Sequence, residues 1–413
     1  MSMHMMLLGA GGDDLPFINN IQASNLSLDV QSFNPGSSSS NTATVTNLAP
    51  SGTTNGVWTT NQSNNPSAGS ANMVTVTRNS KSIPAWDFSG GFNPSSGWIH
   101  FNGNATDFPG GSASFSCMWW VAHDNAIIDW GLGGQDGSPT WTNTNNINNA
   151  TAAINSKRGG QHEFLGHGFD QRAGGGEGAA SNTEWSCLVY TVSGSEFKIY
   201  RNGVLLGSTT YSGKSTANTN FFIGRSWSKE DLEGVDGKIA WTAYWKNTIL
   251  TQAEVTQIWD QTHKYFGENY VTLELDFPAE SDWIGINALK VVANGSEVQG
   301  TLSWDIAHNG AGHVGHDRMG TDSNYNQPNA YDPRVAWMWT PNSTTGKKYF
   351  MRFPTSTIET VSDIDYIQLA YHNGYFKSND NLIIRLNGKT LSYTRVPQGT
   401  QGDFVTERYG SLS

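Results

Sequence analysis

The sequence predicts an all-β fold in more than one domain, and three observations carry that expectation. Apolar residues recur with a period of two in many short runs, as in Trp185-Ser-Cys-Leu-Val-Tyr190. That spacing sends alternate side chains to opposite faces of a strand. Turn residues separate the runs, with Asn-Gly pairs at Asn202-Gly203 and Asn387-Gly388. Both residues of such a pair tolerate the positive φ of a tight hairpin. Only Thr251–Gly267 follows helical spacing, and a chain of 413 residues is long enough for two or three domains with cores of their own.

The elements follow in chain order. Asn25-Leu-Ser-Leu-Asp-Val30 alternates and predicts a first strand. Residues 33–72 are rich in Ser, Asn, Gly, Thr and Pro, which predicts long loops with short strands. Met73–Thr77, Trp86–Phe88 and Gly97–Phe101 read as strands. In Ser112–Val121, Phe115, Cys117 and Trp119 face one way and Met118 and Trp120 the other; apolar residues on both faces predict a central strand, with Ala126–Gly131 as its partner. Residues 132–181 predict long surface loops with a strand-like patch near Phe164. Glu184–Val192, Phe197–Leu206, Phe221–Arg225 and Gly237–Trp245 are four further strand regions. Thr251-Gln-Ala-Glu254 is a capping box, Val255, Ile258, Trp259 and Phe266 form an apolar stripe, and Gly267 is suited to end the helix. From Tyr270 the strand pattern resumes in Tyr270–Phe277, Ile284–Val292, Glu297–Ile306, Tyr349–Phe353, Tyr366–Tyr371 and Asn381–Leu391.

Composition narrows the function. Charged residues make up 14 % of the chain and the net charge is −11, without any Lys/Arg cluster. Sequence-independent nucleic-acid binding rests on phosphate neutralisation and is therefore not expected. No apolar run approaches the length of a membrane-spanning helix, so no membrane insertion is expected. The N-terminus lacks the basic and apolar regions of a signal peptide. A protein of this composition without an export signal fits a virion component, made in a cytoplasm and released by lysis. Cys117 and Cys187 both fall on strands of the same expected sandwich, as two buried thiols or, alternatively, a cross-sheet disulfide.

The run of Ile199-Tyr-Arg-Asn-Gly203, Phe221-Phe-Ile-Gly-Arg-Ser-Trp227, an acidic loop, Gly237-Lys-Ile-Ala-Trp-Thr-Ala-Tyr-Trp245 and Leu250-Thr-Gln-Ala-Glu-Val255 resembles the laminin-G/concanavalin-like jelly roll in the form common in bacteriophage virion proteins. The resemblance implies a concanavalin-like (laminin-G-like) β-sandwich over residues 22–267 that its helix closes. Residues 268–413 resemble, more loosely, a galactose-binding-like or discoidin-like jelly roll. Residues 1–21 carry Met3, Met5, Met6, Leu7 and Leu8 before a glycine hinge and read as a disordered tail or a docking arm for other virion proteins. The expected protein is a virion component without enzymatic activity, a tail fibre or adhesin recognising host cell-surface glycans. The alternative is a capsid decoration or head-fibre protein with a structural role. A homo-oligomer is expected, and a trimer only by analogy with fibres.

Several constellations could carry chemistry. Trp227, Trp337 and Trp339 are candidates for sugar stacking, because an aromatic face matches the apolar face of a pyranose; core packing is the competing reading. Asp231, Glu233 and Asp236 form an acidic loop that could hold calcium, a cation that takes hard oxygen ligands, or simply be solvated. No cofactor is required by any motif. His308, His313 and His316, with Asp317, could converge on a transition metal through their flexible glycines. His162-Glu-Phe-Leu-Gly-His167 misses the helical spacing of a zinc protease. Glycoside hydrolases need two carboxylates across a cleft. Glu274-Leu-Asp276 is the nearest approach to an alternating pair, and it lies outside the first sandwich.

Overall fold

A computed structural model describes residues 16, 18–38, 43–59, 72–88, 97–101, 106–110, 112–124, 131–136, 152–156, 162–166, 169–173, 184–211, 220–224, 235–277, 284–298, 300–304, 337–338, 347–372, 382–401 and 404–413. They form an all-β protein with a single α-helix among the described residues, and every described strand pairing is antiparallel.

Two eight-stranded sheets build the first sandwich. One runs β14 (Val204–Thr210), β13 (Glu196–Arg201), β12 (Ser186–Val192), β7 (Phe115–His123), β16 (Gly237–Lys246), β5 (Lys81–Asp87) and β4 (Met73–Arg78). On its β5 side, β16 serves two neighbours: Lys238 and Ile239 pair with β5, while Trp241–Trp245 pair with β1 (Leu26–Gln31). The other sheet runs β11 (Phe169–Ala173), β10 (His162–Gly166), β9 (Ala152–Ser156), β8 (Gly131–Asp136), β15 (Asn220–Ile223), β6 (Trp98–Phe101), β3 (Gly56–Thr59) and β2 (Thr44–Val45).

Strand β7 shows why this sheet is buried on both sides. Phe115, Cys117, Trp119 and Val121 enter the core between the sheets. Met118, Trp120 and Ala122 enter a second apolar layer on the outer side. Helix α1 (Gln252–Thr262) covers that layer with Val255, Ile258 and Trp259. Its capping box forms as expected, with Glu254 N donating to Thr251 Oγ1 at 3.3 Å and Thr251 N donating to Glu254 Oε2 at 2.8 Å. The helix ends at Thr262, earlier than Gly267; residues 263–267 turn instead, and Gly267 takes a φ of +77°.

The structure corrects three further expectations and decides between the two readings of the cysteines. The partners of β7 are β12 and β16; β8 begins at Gly131 and belongs to the opposite sheet. Residues 132–181 contribute four strands, β8 to β11; β10 is the strand-like patch expected near Phe164, and the other three stand where long loops were expected. The arm expected over residues 1–21 gives its end to the sandwich, since Ile18 and Ile21 are buried in the outer layer and Trp245 Nε1 donates to Ile21 O at 2.8 Å. Cys117 and Cys187 are free and buried. They lie on adjacent strands but on opposite faces of one sheet, which rules out the disulfide.

Two smaller sheets follow. A five-stranded sheet runs β20 (Thr301–Trp304), β22 (Lys347–Pro354), β17 (Tyr270–Phe277), β24 (Ile383–Leu386) and β25 (Lys389–Leu391). The other runs β19 (Ser296–Val298), β18 (Ile284–Ala293), β23 (Ile364–His372), β27 (Phe404–Gly410) and β26 (Thr394–Gln401), with β21 (Trp337–Met338) also on β18. Val271, Leu273, Leu275, Ile384, Ile367, Leu369 and Tyr409 fill the core between them. Strands β26 and β27 went unmarked in the sequence because charged and polar residues dominate them.

Candidate functional site

Residues opposite one another on neighbouring strands share a face of the sheet. Across the second sheet the register aligns Val57, His100, Phe222, Gly134, Ala153 and Leu165 on β3, β6, β15, β8, β9 and β10. Ile99, Phe101, Phe221 and Ile223 face the core, so by alternation His100 and Phe222 stand on the outer face. Their rings are stacked, with centroids 5.0 Å apart and planes 10° from parallel. Gly134 adds no side chain on the far side of Phe222. Val57, at the other end, is 39 % exposed, while His100 is half-buried and Phe222 buried. Burial pushes the His100 pKa down to about 4, so the imidazole is neutral near pH 7. The result is an uncharged aromatic pair in which the Phe222 ring is covered and the His100 ring is partly exposed.

The residues singled out in the sequence fare differently. Trp227, Trp339, Asp231, Glu233, His308, His313, His316, Met3, Met5, Met6, Leu7 and Leu8 lie outside the described residues. Trp337 belongs to β21 and pairs with Gly285. Asp236 is half-buried, and its backbone carbonyl accepts the N–H of Asp124 at 3.0 Å. Beside it Lys238 Nζ binds Asp124 and lies 3.9 Å from Asp87, so a lysine already neutralises the carboxylates at this corner. Among the described residues no group of three or more His, Cys, Asp or Glu could hold a metal ion. His162 begins strand β10, which confirms that no helix presents the His162-Glu163 motif to zinc.

Glu274 and Asp276 alternate on β17, and both are buried. Arg385, opposite Glu274 on β24, donates from Nη1 to both carboxylates, at 2.5 Å and 2.9 Å. With one cation engaging both, the pair serves as an ionic cross-link between strands.

His100 and Phe222 were missed because their sequence neighbours are apolar too. Gly97–Phe101 and Phe221–Arg225 each read as a strand, but only the register joins them.

Residues 93–256 match the family described as the concanavalin A-like lectin/glucanases superfamily. No curated protein matches the chain by sequence. Among solved structures, domain 4 of AbnA, a GH43 extracellular arabinanase from Geobacillus stearothermophilus, is similar at 16 % identity and a TM-score of 0.40 over 57 % of this chain and 98 % of that one. A Trypanosoma rangeli sialidase is similar at 12 % identity and a TM-score of 0.38; the match covers 64 % of this chain and 36 % of that one, about a third of the sialidase. A GH54 α-L-arabinofuranosidase is similar at 8 % identity and a TM-score of 0.44, covering 67 % and 73 %. These likenesses concern the fold. The family match corrects the expectation that the chain lacks enzymatic activity, because the superfamily that residues 93–256 match holds glucanases as well as lectins. The matched residues lie within the first sandwich and support a concanavalin-like fold for it.

Proposed function

We propose that the chain recognises carbohydrate through the outer face of its second sheet, as an adhesin of a bacteriophage particle that engages host surface glycans. The observation that carries this reading is the stacked His100–Phe222 pair beside Gly134. The neutral, partly exposed His100 ring beside the exposed Val57 offers an aromatic face to the C–H face of a sugar, with Phe222 backing it from within the sheet. Trp227, four residues beyond the end of β15 in the sequence, is a further aromatic candidate for the same role. The virion assignment rests on the sequence resemblance, with Met3 to Leu8 as the arm that grips another virion protein. Repetition of the site in an oligomer would raise a weak single-site affinity.

The test is binding of the full chain to immobilised bacterial surface polysaccharides, with and without a calcium chelator, while reducing ends are followed for turnover. Saturable binding that falls at least about tenfold in His100→Ala and Phe222→Ala, with melting temperatures checked in parallel, is the expected result. Binding that survives both substitutions unchanged would remove the outer face from consideration. Loss on chelation would bring Asp231, Glu233 and Asp236 into the site.

A further inference from the structure

The two sandwiches meet around one buried carboxylate. Glu268 lies in the short link between α1 and β17 and is wholly buried. Its Oε1 accepts the backbone N–H of Trp185 at 2.7 Å and Asn79 Nδ2 at 3.1 Å, both in the first sandwich. Its Oε2 is buried without a hydrogen-bond partner. Its backbone N–H donates to the carbonyl of His263 at 3.0 Å.

Charged groups reach this carboxylate from several elements. Glu184, just before β12, is a like charge; Arg201 on β13, Arg352 on β22 and Arg78 on β4 are opposite charges. Lys81 on β5 runs its stem beside the neighbouring Gly267. The phenol of Tyr270 is kept neutral by burial. Several of the same residues hold the sandwiches together. Arg352 Nη1 of the second sandwich binds Glu184 Oε2 of the first at 3.1 Å, its guanidinium lies 4.8 Å from the Tyr270 ring centre, and the Tyr270 hydroxyl accepts Asn202 Nδ2.

We infer that Glu268 is a proton-operated latch between the two sandwiches: protonated, it lets the second sandwich seat firmly on the first, and ionised, it loosens that contact. The neutral acid removes a buried charge beside Glu184 and leaves Arg352 to Glu184 alone. Ionisation places two carboxylates at the joint and draws Arg352 between them. Burial, the largest cause, raises the Glu268 pKa to about 7. Because the folded value lies above the unfolded one, this contribution to stability is full below about pH 4.5 and is lost as the pH rises through 7. The loss amounts to roughly a hundredfold in the folding equilibrium.

Small-angle scattering and calorimetry of the full chain between pH 5.5 and 8.5 test the latch. The wild type is expected to expand and melt earlier as the pH rises. Glu268→Gln, which keeps an acceptor for Trp185 and cannot ionise, is expected to hold its dimensions and to lose much of that slope. Glu184→Gln is expected to move the midpoint to lower pH, because it removes a like charge and frees Arg352 to stabilise the ionised Glu268; a midpoint moving to higher pH would overturn the Arg352-sharing account of the latch. The inference fails if Glu268→Gln retains the wild-type pH response in both measurements. Should Glu268→Gln not fold, an unmoved midpoint in Glu184→Gln overturns it equally.

Discussion

Asn202 and Asn387 close hairpins in two different sandwiches with the same pair of hydrogen bonds. Asn202 N donates to Cys187 O at 2.8 Å, and its Oδ1 accepts Cys187 N at 2.9 Å. Asn387 repeats both bonds with Thr272, at 2.8 Å and 2.9 Å. The two turns then meet at the N-terminal end of α1, where Gln252 Nε2 donates to Gly203 O at 2.7 Å and Thr256 Oγ1 to Asn387 O at 2.8 Å. Local turn chemistry thereby becomes a contact between sandwiches.

Gly388→Ala is expected to be far more costly than Gly295→Ala. Both glycines have positive φ, +79° and +76°, and either alanine carries the left-handed strain of about 1–2 kcal/mol. A Cβ at Gly388 would also stand 2.6 Å from Gly203 O and 2.4 Å from Gln252 Nε2, whereas Gly295 has nothing within 4 Å. Urea denaturation of the two variants should differ by about 1–3 kcal/mol, the range of an overpacked site.

Phe266→Ala is expected to lower stability by about 3–5 kcal/mol. The Phe266 ring lies parallel to Trp120 at 4.0 Å and edge-on to Trp185 at 5.2 Å, so its removal opens the layer beneath α1. A smaller loss in denaturant titration would mean that Tyr265 or Phe33 collapses into the space.

Arg385→Met is expected to destabilise the second sandwich by about 3–5 kcal/mol, because the buried Glu274 and Asp276 would both lose the guanidinium that bridges them. Calorimetry of the variant beside the wild type at neutral pH should show the loss.

Asp29→Asn is expected to flatten part of the pH profile of stability. Asp29 is buried, accepts Trp241 Nε1 at 2.7 Å, and has a pKa pushed up to about 6, chiefly by burial. A folded pKa above the unfolded one favours the protonated form, so the wild type loses this contribution as the pH rises through 6. The variant should therefore gain on the wild type by about 2 kcal/mol between pH 4 and 8, read from denaturation midpoints.

The all-β class, the helix and its cap, the hairpin turns and the two-faced strand β7 are legible in the amino-acid sequence. Each is written in neighbouring residues: Thr251 with Glu254, Asn202 with Gly203, Phe115 to Trp120 in strict alternation. Only the tertiary structure decided which strands pair and which side chains meet. It set β7 beside β12 and β16, put Cys117 and Cys187 on opposite faces, and brought His100 to Phe222 across more than a hundred residues of chain. Strands β8, β9 and β11 were hidden for the same reason. Backbone pairing holds them in the sheet, and their small and polar side chains leave little hydrophobic pattern to read. A carboxylate such as Glu268 likewise gives no local sign of its burial, because burial is set by what two sandwiches place around it.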